Sequence, residues 1–318
     1  MKQGGTGWMK SEKQINMELL YGQIEKIVKA KRVILNASMS KYTSFRTGGN
    51  ADIMVIVENE EEIEKLLRLL SEERVPYIIL GNGSNILVKD GGYRGVVVKL
   101  GEFFNSIKIK DNQIMAYAGA KISTAAREAM ESGLSGMEFA SGIPGSVGGG
   151  VFMNAGAYGG EIKDIILSVT AITKDGMKKY EITKEEMKLG YRHSTFQESG
   201  DIIISATFQL KTGEKSVIAA EMKKLMDRRN QKQPVNLPSA GSFFKRPDGY
   251  YAGQLIQDSG LKGLSVGGAQ VSPLHAGFIV NNGGATTTDI LNLMKLIQNT
   301  VFNKFGVKLE PEVRILGD

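Results

Sequence analysis

Hydrophobic and polar positions alternate with period two over Asp52 to Val57, and the period then lengthens. From Glu60 to Arg74 the apolar residues Ile63, Leu66, Leu67 and Leu70 recur at helical spacing behind three acids that suit the positive end of a helix. A short apolar run, Tyr77 to Leu80, follows and passes into Gly81-Asn82-Gly83-Ser84-Asn85. Strand, helix, strand and glycine loop in that order predict a β-α-β unit with a ligand loop at its end. Gly95 to Leu100 predicts a further strand.

Past residue 104 the pattern changes. Ser106 to Tyr117 predicts a hairpin turning near Asp111-Asn112, and Ser123 to Glu131 a helix closed by Gly133. Ile165 to Thr173 and Met177 to Ile182 predict a second hairpin through Asp175-Gly176, with Thr183 and Glu186 as a capping box and Asp201 to Leu210 as another strand. Val217 to Arg229 predicts a helix with Ile218, Met222, Leu225 and Met226 on one face. After an extended loop from Asn230 to Ala240, helices are predicted at Tyr250 to Ser259 and at Thr288 to Lys304, the latter ended by Gly306. The whole reads as α+β: an N-terminal extension and helix over 1–34, then portions at 35–104, 105–213 and 214–318.

Glycine is the compositional outlier, and it is concentrated. The first loop, Gly81 to Asn85, and the second, Gly142-Ile143-Pro144-Gly145-Ser146-Val147-Gly148-Gly149-Gly150, lie about sixty residues apart, and Asn154-Ala155-Gly156-Ala157 follows. Without a Cβ, backbone amides can reach a diphosphate and turn inward as a nest. Glycines also make tight turns, and either loop alone is compatible with that simpler role. Neither is a P-loop or a good dinucleotide fingerprint. Together they fit a long two-phosphate ligand held between two portions of the chain.

Other classes are excluded by what the chain lacks. Zero cysteines remove disulfides and thiolate chemistry, and the two histidines, His193 and His275, leave no zinc set. The net charge of +6 comes from bases interspersed with acids, with no isolated basic stripe, so no nucleic-acid partner is expected. No apolar run is long enough to span a bilayer, and Met1 to Lys13 lacks the apolar core of a signal peptide, which makes the cytoplasm the expected address.

Several separate motifs in order carry a resemblance. Phe45-Arg46-Thr47-Gly48-Gly49, Leu80 to Asn85, Ala140 to Gly149 and Asn154-Ala155-Gly156 resemble the flavin-binding signature of the p-cresol methylhydroxylase and vanillyl-alcohol oxidase superfamily. Tyr191-Arg192-His193-Ser194, Gly241-Ser242-Phe243-Phe244-Lys245, the 262–281 stretch and Leu309-Glu310-Pro311-Glu312-Val313-Arg314 resemble the UDP-N-acetylenolpyruvoylglucosamine reductases within it, from about Leu35 to Gly317. The resemblance implies two flavin-binding subdomains and a C-terminal substrate domain. It implies FAD, held non-covalently because cysteine is absent and neither histidine lies near the first loop, with NADPH as reductant and a UDP-sugar as substrate. About fifty positions separate Arg192 from Ser242, which is similar to the shorter class lacking an extra tyrosine-bearing loop.

The family reaction reduces an enolpyruvyl ether to a lactyl ether, leaving enolate charge beside a carboxylate that one proton must quench. A guanidinium at Arg192 could hold that carboxylate in two-pronged fashion, or it could be a structural ion pair. By resemblance Glu312 joins Arg192 as the neutral acid and Ser242 donates the proton; read alone, the first is a solvated terminal carboxylate and the second a turn serine. The resemblance assigns the flavin to Arg46, Gly48, Gly81, Asn82, Gly83, Ser84, Asn85, Gly142, Ile143, Pro144, Gly145, Ser146, Gly148, Gly149, Asn154, Ala155 and Gly156, and the substrate to Tyr191, Lys232, Lys245 and Gln254. Arg246 stands where the longer class has asparagine, so contacts there are not carried over. Two rivals remain at this level. One is a flavin oxidase or dehydrogenase acting on an alcohol or hydroxy acid; the other is a nucleotide-binding module without turnover.

Overall fold

The structure, a computed structural model, describes residues 17–318; the polar start read above as lacking a signal core lies outside the described residues. Its first sheet has four strands in the order Val33–Ser38, Asn50–Val57, Tyr93–Leu100, Tyr77–Leu80. The first pair is antiparallel and the others parallel, so Tyr93–Leu100 inserts between the two strands of the expected β-α-β unit. The connecting helix, Glu60–Glu72, starts where the Asn59 side chain accepts from the Glu62 amide, and it buries Ile63, Leu66, Leu67 and Leu70. A period-3.6 apolar stripe behind a good N-cap is sufficient reason for that helix.

The second sheet has five antiparallel strands in the order Lys179–Thr183, Ile166–Ile172, Ile202–Gln209, Gln113–Tyr117, Ile107–Lys110. One apolar cluster runs from Leu20 to Leu210 and takes in both sheets, so the two portions share a core. The helix Lys215–Lys232 leans on it through Met222 and buries Ile218, while Leu225 and Met226 of the expected apolar face are only half-buried. One expected element is incomplete. Half of the capping box forms, since the Thr183 amide donates to the Glu186 carboxylate (2.8 Å), but the Thr183 hydroxyl donates there too (2.7 Å) and does not accept from the residue 186 amide. The box is not closed, and residues 184–188 run as turns.

The C-terminal portion packs the helices Ala252–Asp258 and Thr287–Phe305 on a small antiparallel sheet of residues 265–266, 269–271 and 279–281. Its core recruits Phe45 and Leu87 from the first portion. The final strand, Arg314–Leu316, returns to lie parallel to Ile86–Val88, directly after the first glycine loop.

A further tie crosses the same boundary: Asp90 accepts from the Thr287 amide (2.9 Å), the Thr288 amide (2.8 Å) and the Thr288 hydroxyl (2.6 Å) at the start of the 287–305 helix. Burial alone would raise the Asp90 carboxyl, but those hydrogen bonds outweigh it and hold it below the usual carboxylate range. A carboxyl depressed on folding contributes stability that is present above its unfolded pKa and lost as pH falls through the folded one. Asp90→Ala should therefore cost about 1 kcal/mol at neutral pH, as helix-cap losses do. The gap to the parent should narrow below about pH 4, and urea unfolding at the two pH values measures it.

Candidate active site

The two glycine loops meet face to face. Asn82 Nδ2 donates to the Pro144 carbonyl (3.1 Å), and a Cβ on Gly81 would collide with Ser146 Oγ. Ser146 is itself the N-cap of the short helix Val147–Phe152, accepting from the Gly149 amide at 3.3 Å. Gly148 lies so close to Ala118 that a Cβ would stand 2.8 Å from the alanine methyl. Between the loops a cavity of about 760 Å³ opens, lined by Gly81, Asn82, Gly83, Ser84, Asn85, Ile143, Pro144, Gly145, Ser146, Gly148, Gly149, Ala155 and Gly156. Among the described residues, the amides of Asn82, Gly83 and Ser84 donate to no protein acceptor. A cradle of free amides that added side chains would fill suits the diphosphate of a dinucleotide.

Arg192, Ser242 and Glu312 line the same cavity. Arg192 lies on a tight reversal closed by reciprocal backbone bonds between Gly190 and His193, and it occupies the left-handed region at φ +54°. The turn is pinned to the second loop: Asn154 Nδ2 donates to the Gly190 carbonyl (2.8 Å), and Gln197 Nε2 donates to the Arg192 carbonyl (2.9 Å) and the Phe152 carbonyl (2.8 Å). Glu312 is held from two sides. Its amide donates to the Phe243 carbonyl (2.8 Å), while Asn85 Nδ2 donates to the Glu312 carbonyl (3.2 Å). These backbone ties bring Ser242, beside Phe243, next to Glu312.

Arg192 Nε donates to Glu312 Oε1 at 2.6 Å, with side-chain exposures of 22% and 14%. Both Nη groups have no protein acceptor among the described residues. Burial pushes the Glu312 carboxyl above its usual range, an effect that Arg192 and then Lys245 oppose without cancelling. Ser242 is exposed to the cavity.

Other expected contacts fall elsewhere. Arg46 lines a separate hollow with Leu237, Pro238 and residues 281–284. Gly48 serves close packing, since a Cβ there would stand 2.8 Å from the Val88 carbonyl oxygen. Gly142 makes room for the Arg229 stem, where a Cβ would stand 2.9 Å from Cδ. Asn154 is fully buried and spends its amide on Gly190, Glu161 and Lys163, so it positions Arg192 and does not face the cavity. Lys232, Lys245 and Gln254 are off the wall: Lys245 pairs with Glu310 (3.4 Å), and Gln254 bonds Asp258 within its own helix (2.7 Å). Tyr191 is also off the wall; its ring lies 5.1 Å from the Arg192 guanidinium and its hydroxyl accepts from the Arg246 amide (3.0 Å).

Two cavity arginines had no role in the sequence reading. Burial holds Arg229 and Arg314 below the usual guanidinium range, and neither has a carboxylate partner among the described residues. Arg314 stacks on Phe152 at 4.8 Å. It stood inside a quoted motif, whereas Arg229 is one of many helix cations and nothing in its spacing marks it.

Comparison with known proteins agrees with this geometry. A family model described as an FAD binding domain matches residues 51–178, and one described as the C-terminal domain of UDP-N-acetylenolpyruvoylglucosamine reductase matches residues 233–316. The reductase of that name from Clostridioides difficile is 47% identical over 96% of this chain and 100% of its own. That from Listeria innocua is 51% identical over 89% of this chain and 95% of its own. The crystal structure of the Thermus caldophilus reductase superposes with a TM-score of 0.78 at 35% identity, covering 90% of this chain and 98% of that one. With glycine loops, cavity and Arg192–Glu312 pair in place, the chain belongs to the UDP-N-acetylenolpyruvoylglucosamine reductase family.

Proposed function

We propose that this chain reduces the enolpyruvyl ether of a UDP-N-acetylglucosamine to UDP-N-acetylmuramate, with NADPH as reductant and non-covalent FAD, in the cytoplasmic synthesis of peptidoglycan precursors. The observation that carries the reading is the partly buried Arg192–Glu312 pair lining, with Ser242, a glycine-walled cavity. FAD, when bound, supplies hydride transfer from NADPH to the terminal alkene carbon. The amides of Asn82, Gly83 and Ser84 and the glycines of the second loop would hold its phosphates.

The protein's own residues manage charge. Arg192, with Nε committed to Glu312, offers its Nη groups to the substrate carboxylate, and that contact strengthens as enolate charge develops. Glu312, whose carboxyl burial pushes above its usual range, completes the anion's environment when it is protonated. Ser242 delivers the proton to the enolate carbon, which needs a strongly basic acceptor held close.

Flavin content and the two half-reactions test this. Gly81→Ala drives a methyl against Ser146 and should cost the purified protein most of its flavin, read as the ratio of flavin to protein absorbance. In anaerobic stopped flow, enolpyruvyl UDP-N-acetylglucosamine should reoxidise the NADPH-reduced protein. Ser242→Ala should slow that second half-reaction by about 100-fold and leave flavin reduction intact; equal losses in both halves would remove Ser242 from the chemistry. The second half-reaction should also fall as pH rises through the raised Glu312 pKa and its proton is lost. Glu312→Gln should abolish that alkaline limb.

A further inference from the structure

His275 is absorbed by none of the roles above, yet its ring is tied into the backbone behind Ser242. Its Nδ1 accepts from the Gly277 amide at 3.0 Å, which places the ring proton on Nε2 and makes the imidazole neutral. Burial, with Lys262 adding to it, pushes the ring pKa down and keeps that state. The surrounding reversal is closed by the Phe278 amide on the His275 carbonyl (3.0 Å) and the Ser272 amide on the Phe278 carbonyl (2.9 Å). The ring also lies edge-on to Phe278, with centroids 5.0 Å apart, and Phe278 lines the cavity.

The bonds continue toward the reactive end. The Gly277 carbonyl accepts from the Phe243 amide (2.8 Å), and the Phe243 carbonyl accepts from the Glu312 amide (2.8 Å). Phe243 is fully buried and packs edge-on against Phe45 and Phe244. The Phe243 backbone is thus clamped between Gly277 and Glu312, with Ser242 as its chain neighbour. Both peptide planes flanking Gly277 are held by His275: the one that carries the Gly277 carbonyl through the Phe278 amide on the His275 carbonyl, and the preceding one through the Gly277 amide on the imidazole.

We infer that His275 is a positioning residue for substrate protonation: its Nδ1 acceptor, acting through Gly277 and Phe243, sets Ser242 relative to Glu312. The inference rests on the reading of Ser242 as proton donor. A misplacement on the order of 1 Å in such a group costs about 100-fold in rate.

Two substitutions separate an acceptor role from simple packing. His275→Leu keeps apolar bulk and removes the acceptor; His275→Asn gives up the ring but places an amide oxygen near the Nδ1 position. Both are compared with Ser242→Ala in anaerobic single-turnover measurements on the FAD-loaded protein. His275→Leu should slow the second half-reaction by about 10- to 100-fold, with flavin content and reduction by NADPH near those of the parent. His275→Asn should recover most of the lost rate. If the leucine variant does not fold, His275→Ala takes its place. A fast leucine variant, an asparagine variant as slow as the leucine one, or equal slowing of both half-reactions would overturn the inference. A second half-reaction untouched by Ser242→Ala would instead overturn the reading on which it rests.

Discussion

The contact between Arg192 and Glu312 joins residues 120 positions apart across a barrier that ordinarily discourages it: two charges leaving water. A buried ion pair adds little net stability, because desolvation consumes most of its Coulomb attraction. Its partners are held from the backbone outward. Glu312 is fixed between Phe243 and Asn85, and Arg192 sits on a reversal anchored by Asn154 and Gln197. Each of the three portions of the chain thereby supplies a restraint on one ion pair. The left-handed backbone at Arg192 costs roughly 1–2 kcal/mol, and such strain persists only where its surroundings over-determine it. A guanidinium aimed in advance need not reorganise when charge develops beside it.

The glycine loops impose the complementary constraint, which is space. At Gly81 and Gly148 the missing Cβ lets one stretch of backbone approach another, and the cavity exists because that approach leaves amides free on its near side. The final strand closes the arrangement. By pairing Arg314–Leu316 with Ile86–Val88, it places Glu312 and Arg314 beside the end of the first loop. Phosphate cradle and charge-bearing pair are therefore built on one strand pairing, and the distance between them is set by covalent geometry and ladder hydrogen bonds.

Local regularities were legible in the sequence. The 60–72 helix, the hairpin at 107–117 and the Gly306 stop follow from periodicity, capping and turn chemistry. Long-range placement was not. Nothing in the 86–88 or 314–316 stretches says that they pair, and Asn154 looks like a third phosphate-loop residue until its amide is seen to hold Gly190. Thr183 and Glu186 satisfy the pattern of a capping box, but the pattern does not say which of them donates. Ser242 and Glu312 became adjacent to Arg192 only through motif resemblance, since their spacing carries no period that folding would bring together.

Charge shows the same division between bulk and local quantities. The chain's net +6 is spread over exposed helices where bases alternate with acids, and it says little about ligands. Inside the cavity the balance is different: among the described residues Arg229 and Arg314 are desolvated without a carboxylate partner, and Arg192 has Nη groups to spare beyond Glu312. An unpaired guanidinium out of water is costly, and an anionic ligand relieves that cost on binding. A dinucleotide and a nucleotide-sugar bearing a carboxylate bring anionic groups to such a wall. Such cations, with the free amides of the first loop, give the cavity wall a local bias toward anionic groups that the chain's overall charge does not reveal.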